Sequence, residues 1–124
     1  MRLLVCGGRN YSDTEMVYSA LRELHPSVVI TGGYKGADGL AYAWAYPVVP
    51  TDVYEADWGQ YGRAAGPIRN QRMLDEGKPD AVLAFPGGRG TADMIRRAEA
   101  AGVRIIRMPA DQPGATKVSE VNHK

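Results

Sequence analysis

The chain holds a single cysteine, Cys6, and two histidines, His25 and His123. One thiol excludes an internal disulfide, and two scattered histidines without a cysteine pair exclude a zinc site of ordinary ligand spacing. Charge of one sign is missing too. Fifteen Lys and Arg stand against fourteen Asp and Glu, for a net charge of +1. Nothing in that balance favours a nucleic acid or an anionic membrane. No apolar run approaches the roughly 18 residues of a membrane span. The opening Met1-Arg2-Leu3-Leu4-Val5-Cys6 runs straight into glycines, too short for a signal peptide. A cytoplasmic protein with no membrane partner is the expectation. There is no G-x-x-x-x-G-K-[ST], which removes a Walker-type ATPase or kinase. No acidic cluster suggests magnesium, no Ser-His-Asp set can be assembled, and no cofactor is expected.

Glycine, by contrast, is plentiful, with 15 in 124 residues, and it gathers where apolar runs end. Leu3-Leu4-Val5-Cys6 closes on Gly7-Gly8. Ser27-Val28-Val29-Ile30-Thr31 closes on Gly32-Gly33. Ala81-Val82-Leu83-Ala84-Phe85 closes on Pro86-Gly87-Gly88-Arg89-Gly90-Thr91. Short apolar runs bounded by such breakers read as buried strands. Two further strands are expected at Thr51–Glu55 and Val103–Arg107. Between them lie helical patterns. Ser12-Asp13-Thr14-Glu15 has the form of a capping box ahead of Val17, Ala20, Leu21 and Leu24, and Pro26 stops that helix. Gly36-Ala37-Asp38 opens a second helix, ended by Pro47. Gly66-Pro67 opens a third with proline at its first position, and Gly77 ends it. Thr91 to Ala101 makes a fourth. Asp57 to Ala65 reads as a loop.

Strands alternating with helices in one domain imply an α/β, three-layer, doubly wound fold. Its five-stranded parallel sheet takes the order 3-2-1-4-5. The domain spans 1–108, with an irregular tail over 109–124. Ligands of such folds bind beyond the carboxyl ends of the strands, where the strand order reverses. Three glycine-rich turns meet there. They supply Gly7, Gly8 and Arg9; Gly32, Gly33, Lys35 and Gly36; and Pro86, Gly87, Gly88, Arg89, Gly90 and Thr91. A helix starting right after such a turn aims free N–H groups outward, and its dipole favours an anion. The chemistry expected is phosphate binding.

Other candidates cluster by position. Arg69, in the first turn of the third helix, opposes the helix dipole by roughly 0.3–1 kcal/mol. A ligand anion or a carboxylate such as Asp57 is expected to offset it. Asn70 adjoins it, and Met73 lies one turn on. Asp38 is placed either to cap its helix or to hold a ribose hydroxyl. Asp93 caps as well, or serves as an acid–base group if burial tunes it. Trp58 leads the loop aromatics Tyr11, Tyr34 and Tyr61 as a ring for stacking on a base. Trp44 belongs to the core, and Cys6 is a buried, inert thiol.

Gly7-Gly8-Arg9, Gly36-Ala37-Asp38, Ala56-Asp57-Trp58, Ala65-Gly66 with Arg69-Asn70, and Phe85 through Asp93 occur in this order. Together they resemble the YspA-type branch of the SLOG superfamily, found in bacteria and their phages, over residues 3–107. The resemblance implies a Rossmann-like nucleotide-binding domain. The superfamily includes the LOG enzymes, which hydrolyse the N-glycosidic bond of nucleoside 5′-monophosphates and carry R-K-x-x-M and P-G-G-x-G-T-x-x-E. Here Arg69 to Met73 matches the first with Asn70 in place of Lys. Pro86 to Met94 matches the second with Met94 in place of the catalytic Glu. Asp93 is adjacent, but one helical residue is a rotation of about 100°. An oxocarbenium-like state needs a carboxylate, which Met94 lacks. Binding of a nucleotide or ADP-ribose-like ligand, by a sensor or sequestering module, is therefore the first expectation. Hydrolysis with Arg69 and Asp93 as catalytic residues is the second. Single-strand binding, as in the relative DprA, is the weakest, because near-neutral charge leaves no basic track. LOG relatives are dimers or larger, so the resemblance points to a homodimer.

Overall fold

The computed structural model describes residues 1–108; the tail expected at 109–124 lies outside the described residues. Five strands, β1 (Arg2–Cys6), β2 (Val28–Thr31), β3 (Thr51–Val53), β4 (Ala81–Ala84) and β5 (Arg104–Arg107), form one sheet in the order β3-β2-β1-β4-β5. Every pairing is parallel, with Leu4 opposite Ile30 on one side and Val82 on the other. The expected architecture and strand order are both present.

Side chains alternate across a strand, so β1 feeds two cores. Leu3 and Val5 face α1 (Thr14–Leu24) and α2 (Gly36–Ala45), against Val17, Leu21, Ala37, Ala41 and Ala45. Leu4 and Cys6 face α4 (Ala65–Asp75) and α5 (Arg89–Ala100), against Met73, Leu74, Met94 and Ala98. The alanines of α2 recur every fourth residue and let that helix lie close to β1 and β2. Trp44 packs against the first core as expected.

Three local expectations need correction. The cap of α1 is Asp13, not Ser12: Asp13 Oδ1 accepts from the Met16 N–H at 3.0 Å. Residues 57–65 are not an open loop. Asp57 Oδ1 accepts from the Gln60 N–H at 3.1 Å and nucleates α3 (Trp58–Tyr61), which passes through a 3-10 turn at Gly62–Ala64 into α4. Pro67 is thus the third residue of α4, where its missing N–H still costs nothing. Arg69 is the fifth, beyond the first turn, where the dipole's repulsion has faded. Finally, α5 begins at Arg89 rather than Thr91, with Gly88 as its cap.

Candidate anion site at the sheet crest

The three glycine turns meet at the carboxyl ends of the strands, but much of their glycine content serves packing. The Gly8 N–H donates to the Pro86 carbonyl at 2.8 Å, and the Gly8 carbonyl accepts from Tyr11 and Ala37. A Cβ on Gly7 would lie 2.6 Å from the Ala37 Cβ. Gly36 has φ +59, and a Cβ there would sit 2.0 Å from the Gly8 carbonyl oxygen. A Cβ on Gly32 would strike the Arg69 guanidinium, and one on Gly87 would lie 2.2 Å from the Thr91 Oγ1. The Gly32 N–H is already spent on Asp38 Oδ2 at 2.7 Å. These contacts account for Gly7, Gly8, Gly32, Gly36 and Gly87 without any ligand.

The turn after β4 is different. Pro86 to Gly90 are exposed. Among the described residues, the N–H groups of Gly87, Gly88, Arg89, Gly90 and Thr91 make no hydrogen bond to protein, and no side chain caps α5. Open space surrounds the Cβ directions of Gly88 and Gly90, as it does that of Gly33. A row of free amides at the start of a 12-residue helix is suited to an anion. The amide grip expected from three turns therefore narrows to one.

Three cations stand on the turns around this row. Arg9, Lys35 and Arg89 are exposed and form no ion pair among the described residues. Arg69 is partly buried and is offset by carbonyls rather than by Asp57. Its Nη1 donates to Gly32 O and, at 3.4 Å, to Tyr54 O. Its Nε donates to Asn70 Oδ1 at 3.0 Å. Its Nη2 has no protein partner among the described residues. Burial lowers the Arg69 pKa, the nearby Asp38 charge works against that, and Arg9 adds to it.

Asp38 does not face outward as a free ribose ligand. Burial pushes its carboxyl up from 3.8 to about 6, while the Gly32 hydrogen bond and the Arg69 charge pull the other way. Asp93 has the reverse balance. Burial works to raise its pKa, but hydrogen bonds from Arg97 at 2.8 Å and Asn70 at 3.0 Å, with the Arg96 charge, hold it below the usual carboxylate value. An ionised carboxylate held this way has no proton to give. Met94, in the place of the LOG glutamate, is fully buried in the core. Met73 is buried beside it and offers a ligand no surface. The cause is the same: both side chains lie on the sheet-facing stripes of their helices. Cys6 is inert, pushed up to about 12 by burial and by the Asp38 charge.

The aromatic residues divide. Tyr11 packs against Phe85 with ring centroids 5.2 Å apart and planes tilted by 33°, its hydroxyl buried and unpartnered among the described residues. Tyr34 meets Tyr42 edge-on, and Tyr42 stacks on Tyr46. Trp58 is 52% exposed and its ring edge overlies Gly66 in the first turn of α4. The sequence reading missed Gln71, Arg96 and Arg97, which with Asp93, Ala100 and Ala101 line a hollow of about 540 Å³ between α4 and α5. The signal was available: Asp93 with Arg96 and Arg97 is an i,i+3 and i,i+4 charge pattern.

A doubly wound parallel sheet with an anion-ready helix start at its switch point defines a Rossmann-like α/β domain. The chain belongs to the YspA, cpYpsA-related SLOG family, whose sequence model matches residues 1–61. It is also 39% identical over 125 residues to the Gene 61 protein of Mycobacterium phage D29, covering 90% of this chain and 98% of that one. Among the described residues, no helix is long and apolar enough to cross a membrane.

Proposed function

We propose that the chain binds a phosphorylated nucleoside, a nucleotide or an ADP-ribose-like molecule, at the sheet crest, as a sensor or sequestering module. The observation that carries this reading is the run of unpartnered N–H groups from Gly87 to Thr91 at the start of α5, exposed as far as Gly90. The phosphate lies on those amides. The free edge of the Arg69 guanidinium, with Arg9, Lys35 and Arg89 on the rim, supplies the countercharge. Trp58, half-exposed over α4, supplies a face for the base. Membership of a SLOG family supports a nucleotide-related role.

Hydrolysis is the poorer reading. The position of the LOG glutamate is a buried methionine, and Asp93 is tied to Arg96 and Arg97. Neither residue can protonate a leaving base. The binding reading is tested by a thermal-shift panel of 5′-AMP, other nucleoside monophosphates, ADP-ribose and single-stranded oligonucleotides. A ligand that binds only the folded chain raises Tm with concentration. Saturable stabilisation by a nucleotide, weakened by Arg69→Ala and abolished by Gly88→Phe, is expected. Stabilisation that survives both substitutions would place the pocket elsewhere. Release of free base, lost in Asp93→Asn, would restore the hydrolase.

A further inference from the structure

Asn70 neighbours Arg69 in sequence, yet it is only 3% exposed and cannot reach a ligand in solvent. Its amide is fully engaged instead. Oδ1 accepts from Arg69 Nε at 3.0 Å. Nδ2 donates to the Gly90 carbonyl at 3.3 Å and to Asp93 Oδ2 at 3.0 Å. One end of the bridge is the cation of the crest. The other is the first turn of α5, whose N–H groups stand free. Asp93 is in turn pinned by Arg97 Nε at 2.8 Å, and Arg97 Nη1 donates to Gln71 at 3.0 Å, back on α4. The chain of bonds leaves α4 at Asn70 and returns to it at Gln71.

An apolar side chain at position 70 would join α4 to α5 with no polar group to satisfy. It would leave Arg69 Nε and the Gly90 carbonyl without this partner. A carboxylate could accept from Arg69 but not donate to Gly90 or Asp93. Only a side chain with an acceptor and a donor on the same end serves both neighbours. We propose that Asn70 is a positioning residue of the crest site, holding the Arg69 guanidinium and the α5 N-terminal turn in one fixed arrangement so that a phosphorylated ligand meets both together. The proposal rests on the binding function above. It also gives Asp93 a role: the carboxylate orients the Asn70 amide.

The test is a double-mutant cycle on the full chain, with affinities for 5′-AMP and ADP-ribose measured by calorimetry. Asn70→Leu should weaken binding by about tenfold or more, the range of a hydrogen bond to a charged group. In an Arg69→Ala background the same change should cost about threefold or less, because one of the two groups that Asn70 holds is gone. A merely structural role would give equal losses in both backgrounds and would overturn the proposal. Nitrogen-edited NMR without ligand supplies a second readout. The Arg69 Nε–H should exchange slowly in the wild-type chain and in Asn70→Asp, which keeps the acceptor, while the Gly90 and Thr91 amide resonances move in Asn70→Asp. An Arg69 Nε–H that exchanges no faster in Asn70→Leu would also overturn it. Asn70→Asp serves if Asn70→Leu fails to fold. Failure of the wild-type chain to bind either nucleotide would overturn the binding function and this proposal with it. Binding with additive losses would overturn this proposal alone.

Discussion

The Gly8 N–H donates to the Pro86 carbonyl at 2.8 Å, tying the turn after β1 to the turn after β4 across the reversal in strand order. That bond closes the first turn against the fourth and spends an amide that would otherwise point at a ligand. It also brings the Gly8 nitrogen within 2.7 Å of where a Cβ on Gly87 would lie. The crest is therefore two kinds of surface: knitted turns that hold it rigid, and the open start of α5.

Gly87 and Gly88 should respond oppositely to substitution. Gly87→Ala forces its methyl onto Thr91 and the Gly8 nitrogen, and should destabilise by about 1–3 kcal/mol as an overpacked site. Gly88 has φ −101 and an open Cβ direction, so Gly88→Ala should stay within about 0.5 kcal/mol. Gly88→Phe fills the space over the amides and should remove nucleotide binding with the fold intact. Urea unfolding and calorimetry check both.

Asp38 should make stability depend on pH in an unusual direction. Its carboxyl titrates near 6 when folded, above its ordinary 3.8. The folded chain then holds the proton more tightly than the unfolded chain. Stability should fall as pH rises from about 4 to about 6 and level off above that. Asp38→Asn keeps an acceptor for the Gly32 N–H, and should flatten this window and raise stability at pH 7. Unfolding curves across pH 4–8 for both proteins read it directly.

Restoring the LOG glutamate should not restore a hydrolase. Met94 is fully buried among Leu4, Cys6, Met73 and Ala98. Met94→Glu places a carboxyl in an apolar core and should cost about 3 kcal/mol or more. No free base should be released from 5′-AMP by the soluble fraction. Chromatographic product analysis and a melting curve check the two halves.

Asp93→Ala should destabilise by about 1–3 kcal/mol, because it strips Asn70 Nδ2 and Arg97 Nε of their carboxylate. The wild-type carboxyl titrates below its ordinary value, so its contribution is present above about pH 4 and is lost as pH falls further. Acid unfolding should accordingly begin later in the wild-type chain than in the variant, whose stability should change less over that range.

Strands β1, β2 and β4 were legible because each is an apolar run stopped by glycine or proline, a pattern that depends only on neighbours in sequence. The strand order present is the simplest doubly wound arrangement that the alternation allows. What was not legible was how glycine is used. Gly7, Gly32 and Gly36 admit the Ala37 methyl, the Arg69 guanidinium and the Gly8 carbonyl, and none of those partners is a sequence neighbour of its glycine. A run of glycines reads the same whether a ligand or a side chain fills the space. The short helix at Trp58–Tyr61 escaped for the opposite reason. It is four residues long, has no buried face, and rests on the Asp57 cap rather than on apolar spacing. Asn70 and Asp93 read as separate site residues, and their joining across α4 and α5 is a tertiary fact.

A crystal structure of the chain with 5′-AMP tests the central claim most directly. The account predicts phosphate oxygens within hydrogen-bonding reach of the Gly88 to Thr91 nitrogens, with the Arg69 Nη2 turned toward the same ligand. A nucleotide seated in the α4–α5 hollow, or anywhere that leaves those four amides to solvent, would contradict it.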